Sequence, residues 1–249
     1  MAFNVAADAY DSFMGRYSVQ LGPQMAELAR VQPGQRVLDV GCGPGALTAE
    51  LLQRGAEVSA VDPSPQFVGA AQERYPAADV RQASAEELPF EDDQFDAALA
   101  QLVVHFMVDP LRGIEEMVRV THEEGVVVAS VWDMAGGRAP LSPFWTAARE
   151  LEPDVEGEDN RAGAAEGELA RLFMQAGLRE VEETALPVNV EHPTFDEWWL
   201  PFTLGVGPVG EHYLGLEPAR QRELEQRLRE QLPEPVTLET RAWAARGVV

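Results

Sequence analysis

Residues 37–47 read VLDVGCGPGAL, and no other stretch constrains the fold as strongly. Val37, Leu38 and Val40 make a short apolar run, the mark of a strand buried on both faces. Gly41, Gly43 and Gly45 follow at once, and residues 46–52 are an Ala- and Leu-rich helical stretch. Strand, glycine turn and helix in that order form a nucleotide-binding βα unit. Glycine turns tightly and lets a ligand approach the backbone without meeting a Cβ. The first turn of the helix adds N–H groups with no partner inside the helix.

The flanking pattern extends this unit into an α/β chain. Apolar runs predict strands at 57–61, 78–82, 97–104, 126–131, 179–190 and 237–246. Helices are expected at 23–31, with Pro23 at its N-terminal position, and at 65–75, 111–120, 167–176 and 218–232. In the last of these, Glu223/Arg227 and Glu225/Arg229 stand at i,i+4 spacing. Asp62 lies 21 residues after Gly41, at the end of the second strand. There an acid can accept both ribose hydroxyls of an adenosine, a device shared by several nucleotide-binding families. Its alternative reading is a helix cap ahead of Pro63 and Pro65.

The glycines are spaced G-x-G-x-G, with Asp39 two residues before the first, whereas the dinucleotide fingerprint is G-x-G-x-x-G. This motif resembles motif I of the class I S-adenosylmethionine (SAM)-dependent methyltransferases, and within them the type 11 group. A second segment supports the likeness. Ser84-Ala85-Glu86-Glu87-Leu88-Pro89-Phe90, then Phe95-Asp96, resembles the acidic-Ala-Glu-x-Leu-Pro-Phe stretch of that group, with Ser84 where Asp is usual. The resemblance covers roughly residues 10–132. It implies a Rossmann-like fold: a mostly parallel seven-stranded sheet, helices on both faces and an antiparallel last strand. It also implies SAM as cofactor, with S-adenosylhomocysteine as product. The expected lining is Asp39, Gly41, Cys42, Gly43, Asp62 and Pro63, then Ser84, Ala85 and Glu86 at the adenine. Ser84 can still accept the adenine N–H, without charge assistance. In the resembling enzymes the segment before the first strand folds over the cofactor as a lid, so Arg16 is a candidate partner of the methionine carboxylate. Within a single domain over 1–249, this gives a lid at 1–34 and a SAM-binding core at 35–132. Insertions at 133–163 and 191–235 would form a substrate cap.

Composition narrows the chemistry. The formal net charge is -23, and all 19 basic residues counted as Lys+Arg are Arg. So acidic a surface argues against nucleic acid as substrate, yet does not repel a sulfonium. One cysteine, Cys42, excludes an internal disulfide and suits a reducing cytoplasm, and with four His it offers no zinc pattern. No apolar run reaches the roughly 20 residues of a membrane span, and the stretch MAFNVAADAYDSF lacks the pattern of a signal peptide. Oligomeric state is not legible here.

Gln101 falls near the carboxyl end of strand four, where open α/β sheets place their ligands. His105 follows and is a candidate general base for a hydroxyl or amine nucleophile; otherwise it is a hydrogen-bonded wall residue. Trp145, Trp198, Trp199 and Phe202 are candidate walls for a small apolar acceptor, or core residues of the insertions. Cys42 is explained by its small size. Residues 150–159, an acidic run, read as an exposed connection. The function expected is methyl transfer from SAM to a small molecule. A SAM-binding partner or sensor without catalysis is the competing reading, and a nicotinamide oxidoreductase the third.

Overall fold

The computed structural model describes residues 10–249; the first nine, part of the expected lid and of the stretch read for a signal peptide, lie outside the described residues. The strands are β1 (Arg36–Val40), β2 (Glu57–Asp62), β3 (Asp79–Gln82), β4 (Phe95–Gln101), β5 (Thr121–Trp132), β6 (Arg179–His192) and β7 (Val236–Val248). They form one seven-stranded sheet in the order β3-β2-β1-β4-β5-β7-β6. β3, β2, β1, β4 and β5 pair in parallel, and β7 runs antiparallel between β5 and β6. The Rossmann-like sheet and its antiparallel last strand are as expected.

The helices are α1 (Arg16–Leu28), α2 (Ala46–Gln53), α3 (Pro65–Arg74), α4 (Pro110–Val120), α5 (Ser142–Leu151), α6 (Glu168–Gln175), α7 (Phe195–Trp199), α8 (Gly207–Gly215) and α9 (Pro218–Gln231). They cover both faces, which is why the inner strands are apolar without alternation. Val128 and Trp132 of β5 join the core under α1 and α2, whereas Val127, Ala129 and Val131 join the core under α4 and α6. The chain goes outward from β1 to β3, then returns to β4 on the other side of β1. That reversal opens a crevice outside the carboxyl ends of β1 and β4, the place where such sheets bind ligands.

Four expectations change. Pro23 lies inside α1, not at its start. Phe13, Tyr17, Leu21 and Met25 recur every four residues and are all buried, and this stripe holds the segment helical across the proline. Burying Leu21 and Met25 alone contributes about 1.5–3 kcal/mol each, comparable with the cost of about 3 kcal/mol for an interior proline. Among the described residues of the expected lid, this stripe packs into the core, while Tyr10, Phe13 and Met14 reach the site. Second, β4 ends at Gln101, because Leu102 leaves the sheet with φ 62. Third, Glu223 pairs with Arg220, and Arg227 reaches Glu150 across to α5; Glu225–Arg229 forms as expected. Fourth, the acidic run is not an exposed connection throughout: Glu158 is 2% exposed and Asp159 pairs with Arg149.

Candidate active site

The floor of the site is the turn after β1. Gly41 has φ 71, and a Cβ there would lie 2.5 Å from Val103 Cγ2. Gly43 has φ 54, and a Cβ there would meet nothing within 4 Å. The first glycine is thus needed for packing, and the second leaves a backbone concavity open to a ligand. Gly41 and Cys42 both donate their N–H to the Val61 carbonyl, at 2.8 and 2.9 Å, which locks the turn onto β2.

Two carboxylates lie beneath this turn. Asp39 is buried, and its Oδ2 accepts the Thr48 hydroxyl at 2.6 Å; its Oδ1 has no partner among the described residues. Burial pushes its pKa up to about 7, against the opposing bond from Thr48. Asp62 accepts the Gly43 N–H at 2.9 Å on Oδ2 and the Ser64 N–H at 2.8 Å on Oδ1. Ser64, not Asp62, caps α3, so the capping alternative for Asp62 does not hold. Each Asp62 oxygen keeps a lone pair for a ligand hydroxyl. Burial raises its pKa, countered by those two backbone bonds. Burial likewise drives the Cys42 thiol well up, so Cys42 is an inert small residue at the turn.

The groove above the turn has two connected parts. One is lined by Gly41, Gly43, Asp62, Pro63 and Gln101, with Tyr10, Phe67, Leu102, Val103 and Phe106. The other runs from Gly41, Pro63, Val103 and Phe106 to Ser84, Ala85 and Glu86, and on to Met107 and Val108. Gln101 Nε2 donates to the Ser18 carbonyl at 3.1 Å, and its buried Oε1 has no partner among the described residues. Ser84 donates its hydroxyl to Glu86 Oε2. Glu86 Oε1 accepts the N–H groups of Val108 at 2.7 Å and Asp109 at 3.3 Å, so it braces the rim of the groove. The structure thus brings together ten of the eleven residues expected around the cofactor, with Asp39 and Cys42 beneath the turn and the rest on the groove. Arg16 stands apart from this lining: its Nη1 lies 3.0 Å from His192 Nδ1, beside β6.

The cradle fits SAM on its own features. It has an open glycine turn, two acids, two buried oxygens without donors, and no basic side chain among its described lining. That electrostatic sign suits a cationic ligand and disfavours a dinucleotide, whose diphosphate would face Asp39 and Asp62.

A third space opens from the groove through Tyr10, Leu102 and Phe106, which line both. Its other walls are Phe13, Met14, Trp132, Met134, Leu141, His105, Glu158 and residues 207–209. It is a largely apolar chamber. His105 is 6% exposed, its Nδ1 lacks a partner among the described residues, and burial with nearby Arg161 lowers its pKa to about 3. It is therefore neutral at physiological pH, with a free ring nitrogen.

The four aromatics expected as walls are not on this lining. Trp199 and Phe202 stack on Phe144, Trp198 packs against Phe195, and Trp145 packs edge-on to Phe144, all buried in the core. Phe202 stands one layer back, edge-on to Phe13 at 5.2 Å. Those rings pack against one another, and the chamber is walled instead by Trp132 at the end of β5 and by Tyr10, Phe13 and Met14. Sequence reasoning missed Leu102, Phe106, Met134 and Glu158. Leu102 sits in a run that is apolar apart from Gln101, so nothing in the pattern marks its left-handed backbone, which for a bulky residue is strained.

Comparison with known proteins agrees with this geometry. Residues 38–129 match the family model described as a methyltransferase domain, of type 11. An uncharacterized methyltransferase of Mycobacterium tuberculosis is 36% identical over 125 residues, which are 50% of this chain and 49% of that protein. A malonyl-[acyl-carrier protein] O-methyltransferase of Erwinia billingiae is 34% identical over 144 residues, 58% of this chain and 57% of that one. The chain spans about half the length of the curated relatives it matches. The crystal structure of a putative methyltransferase from an antibiotic biosynthesis pathway of Anabaena variabilis superposes with a TM-score of 0.63 at 17% identity, covering 93% of this chain and 97% of that one; it shows the shared fold. Residues 38–129 thus resemble a methyltransferase domain of type 11, and the sheet order and the glycine cradle agree with that likeness.

Proposed function

We propose that this protein transfers a methyl group from SAM to a small molecule held in the apolar chamber. The observation that carries the reading is the shared wall: Tyr10, Leu102 and Phe106 line both the cofactor groove and the chamber. A donor in one and an acceptor in the other would meet at that opening, out of bulk water.

SAM supplies an activated methyl on a sulfonium leaving group. The chain's part is to bind, orient and exclude water. Asp62 would take the ribose hydroxyls, and Ser84 with Ala85 and Glu86 the adenine edge. Asp39 and Gln101 would supply acceptors for the positively charged end, and Arg16 would need to leave His192 to reach the carboxylate. Bound SAM would give its methyl to the acceptor's nucleophile, with the sulfur as leaving group. If that nucleophile carries a proton, neutral His105 would be the group to receive it. The pKa near 3 makes it a weak base, so alignment rather than proton abstraction would supply most of the acceleration.

No helix among the described residues is long and apolar enough to cross a membrane. With the single cysteine and the net charge of -23, this supports a reaction in the cytoplasm on a small molecule rather than on nucleic acid. The test is calorimetry with SAM, S-adenosylhomocysteine and NAD. Binding of the first two in preference to NAD, weakened about a hundredfold by Asp62→Ala, supports the reading; failure of both to bind refutes it. Binding without turnover across a broad acceptor panel would favour the sensor reading instead.

A further inference from the structure

The apolar chamber holds a buried carboxylate. Glu158 lines it, 2% exposed, among Phe13, Met14 and Trp132. Its Oε2 accepts the Trp145 indole N–H at 3.1 Å. Its Oε1 lies 3.4 Å from Arg161 Nε, but no hydrogen bond reaches that oxygen among the described residues. Arg161 also donates to the His105 carbonyl at 3.3 Å, so one guanidinium ties both polar lining groups together. Burying a carboxylate is costly unless its lone pairs are satisfied, and here one oxygen is left without a donor. Burial raises the pKa of Glu158, which a hydrogen-bond donor in the chamber would offset.

We propose that Glu158 selects the acceptor. The chamber takes a small, mostly apolar molecule bearing a hydroxyl or an amine, whose proton is donated to Glu158 Oε1, and it rejects carboxylates. The inference rests on the methyl-transfer reading and deepens it. A carboxylate acceptor would bring a second negative charge against Glu158, while Arg161, the nearest cation, is already engaged by Glu158 and by the His105 carbonyl. A hydroxyl or ammonium supplies the missing donor, and the aromatic and aliphatic walls hold the rest of the molecule.

The experiment uses protein saturated with S-adenosylhomocysteine and three probes that share one ring: benzyl alcohol, benzylamine and benzoate. Ligand-observed NMR gives their dissociation constants. The alcohol and amine should bind at least about tenfold tighter than benzoate. Glu158→Gln keeps an oxygen for the Trp145 N–H but loses the charge. It should bring benzoate to within about threefold of the others while S-adenosylhomocysteine affinity stays unchanged. Arg161→Met keeps Glu158 and removes its counter-charge, so it should widen the benzylamine-to-benzoate ratio. A purely structural role for Glu158 would lower the melting temperature and leave the ranking intact. The proposal is overturned if benzoate binds as well as the others, if the ranking survives Glu158→Gln, or if the loaded protein binds none of the probes. If Glu158→Gln does not fold, the Arg161→Met ratio decides alone, and no change overturns the proposal. Failure to bind S-adenosylhomocysteine, seen before any probe is added, would overturn the parent reading and this one with it.

Discussion

Asp62→Ala is the substitution in which fold and function are hardest to separate, and the structure says by how much each should change. The carboxylate accepts two buried backbone N–H groups, from Gly43 at 2.9 Å and from Ser64 at 2.8 Å. Hydrogen bonds to a charged group contribute about 1.5–3 kcal/mol each, so the gross loss is about 3–6 kcal/mol. Some of it returns, because the alanine no longer carries a carboxylate whose ionised form burial disfavours. The net destabilisation should be about 2–4 kcal/mol, read as a lower urea midpoint at unchanged slope. On the proposed ribose-binding role, the variant would lose two charge-assisted bonds to ribose hydroxyls, and the Gly43 N–H is no longer held in place. S-adenosylhomocysteine affinity should fall by about 3 kcal/mol, roughly a hundredfold. Asp79→Ala is the control, a half-exposed acid paired with Arg81, and should change stability by no more than about 0.5 kcal/mol. A variant as stable as the parent with the same affinity would refute the whole account of the turn.

Other perturbations probe other parts. Gly41→Ala places a Cβ 2.5 Å from Val103 at a φ of 71, and should cost about 2–5 kcal/mol by denaturation; adding Val103→Ala should restore the steric share and leave the backbone strain. Phe13→Ala empties a wall of the chamber and should cost about 3–5 kcal/mol while sparing S-adenosylhomocysteine binding; an equal loss of that binding would show the chamber and groove are not separable. Glu86→Gln weakens the brace on Val108 and Asp109, and hydrogen exchange of those two amides should quicken about tenfold. His105 has its pKa lowered to about 3 in the fold, so between the ordinary value near 6.5 and about 3 the unfolded chain binds more protons. The stability it contributes is therefore full above pH 6.5 and lost as pH falls through that window, by up to about 1.4 kcal/mol per pH unit, and His105→Gln should flatten the slope. His192 titrates in an overlapping range, so the difference between the two proteins, not the raw slope, is the readout.

What the sequence determined by itself is the part encoded by neighbours along the chain. The apolar run of β1, the three glycines and the acid ending β2 are local statements about strand, turn and strand end, and each element stands where its spacing put it. The parallel sheet followed from the same runs, because a strand apolar on both faces must be covered on both. Residues 84–86 on the groove were legible through a pattern of neighbours as well. Tertiary structure alone decided the rest. Pro23 reads locally as a helix start, yet a buried stripe on either side carries the helix through it. Leu102 reads as strand, yet the chain must turn out of the sheet there to open the chamber. The tryptophans read as candidate walls or, one by one more readily, as core, and burial against Phe144 and Phe195 made them core. Glu158 reads as one acid in a solvated run, yet Trp145 and Arg161, 13 and three residues away, draw it into the interior. Periodicity and motif spacing record what a residue wants from its near neighbours, and which wall a side chain ends on is set by contacts that only the folded chain brings together.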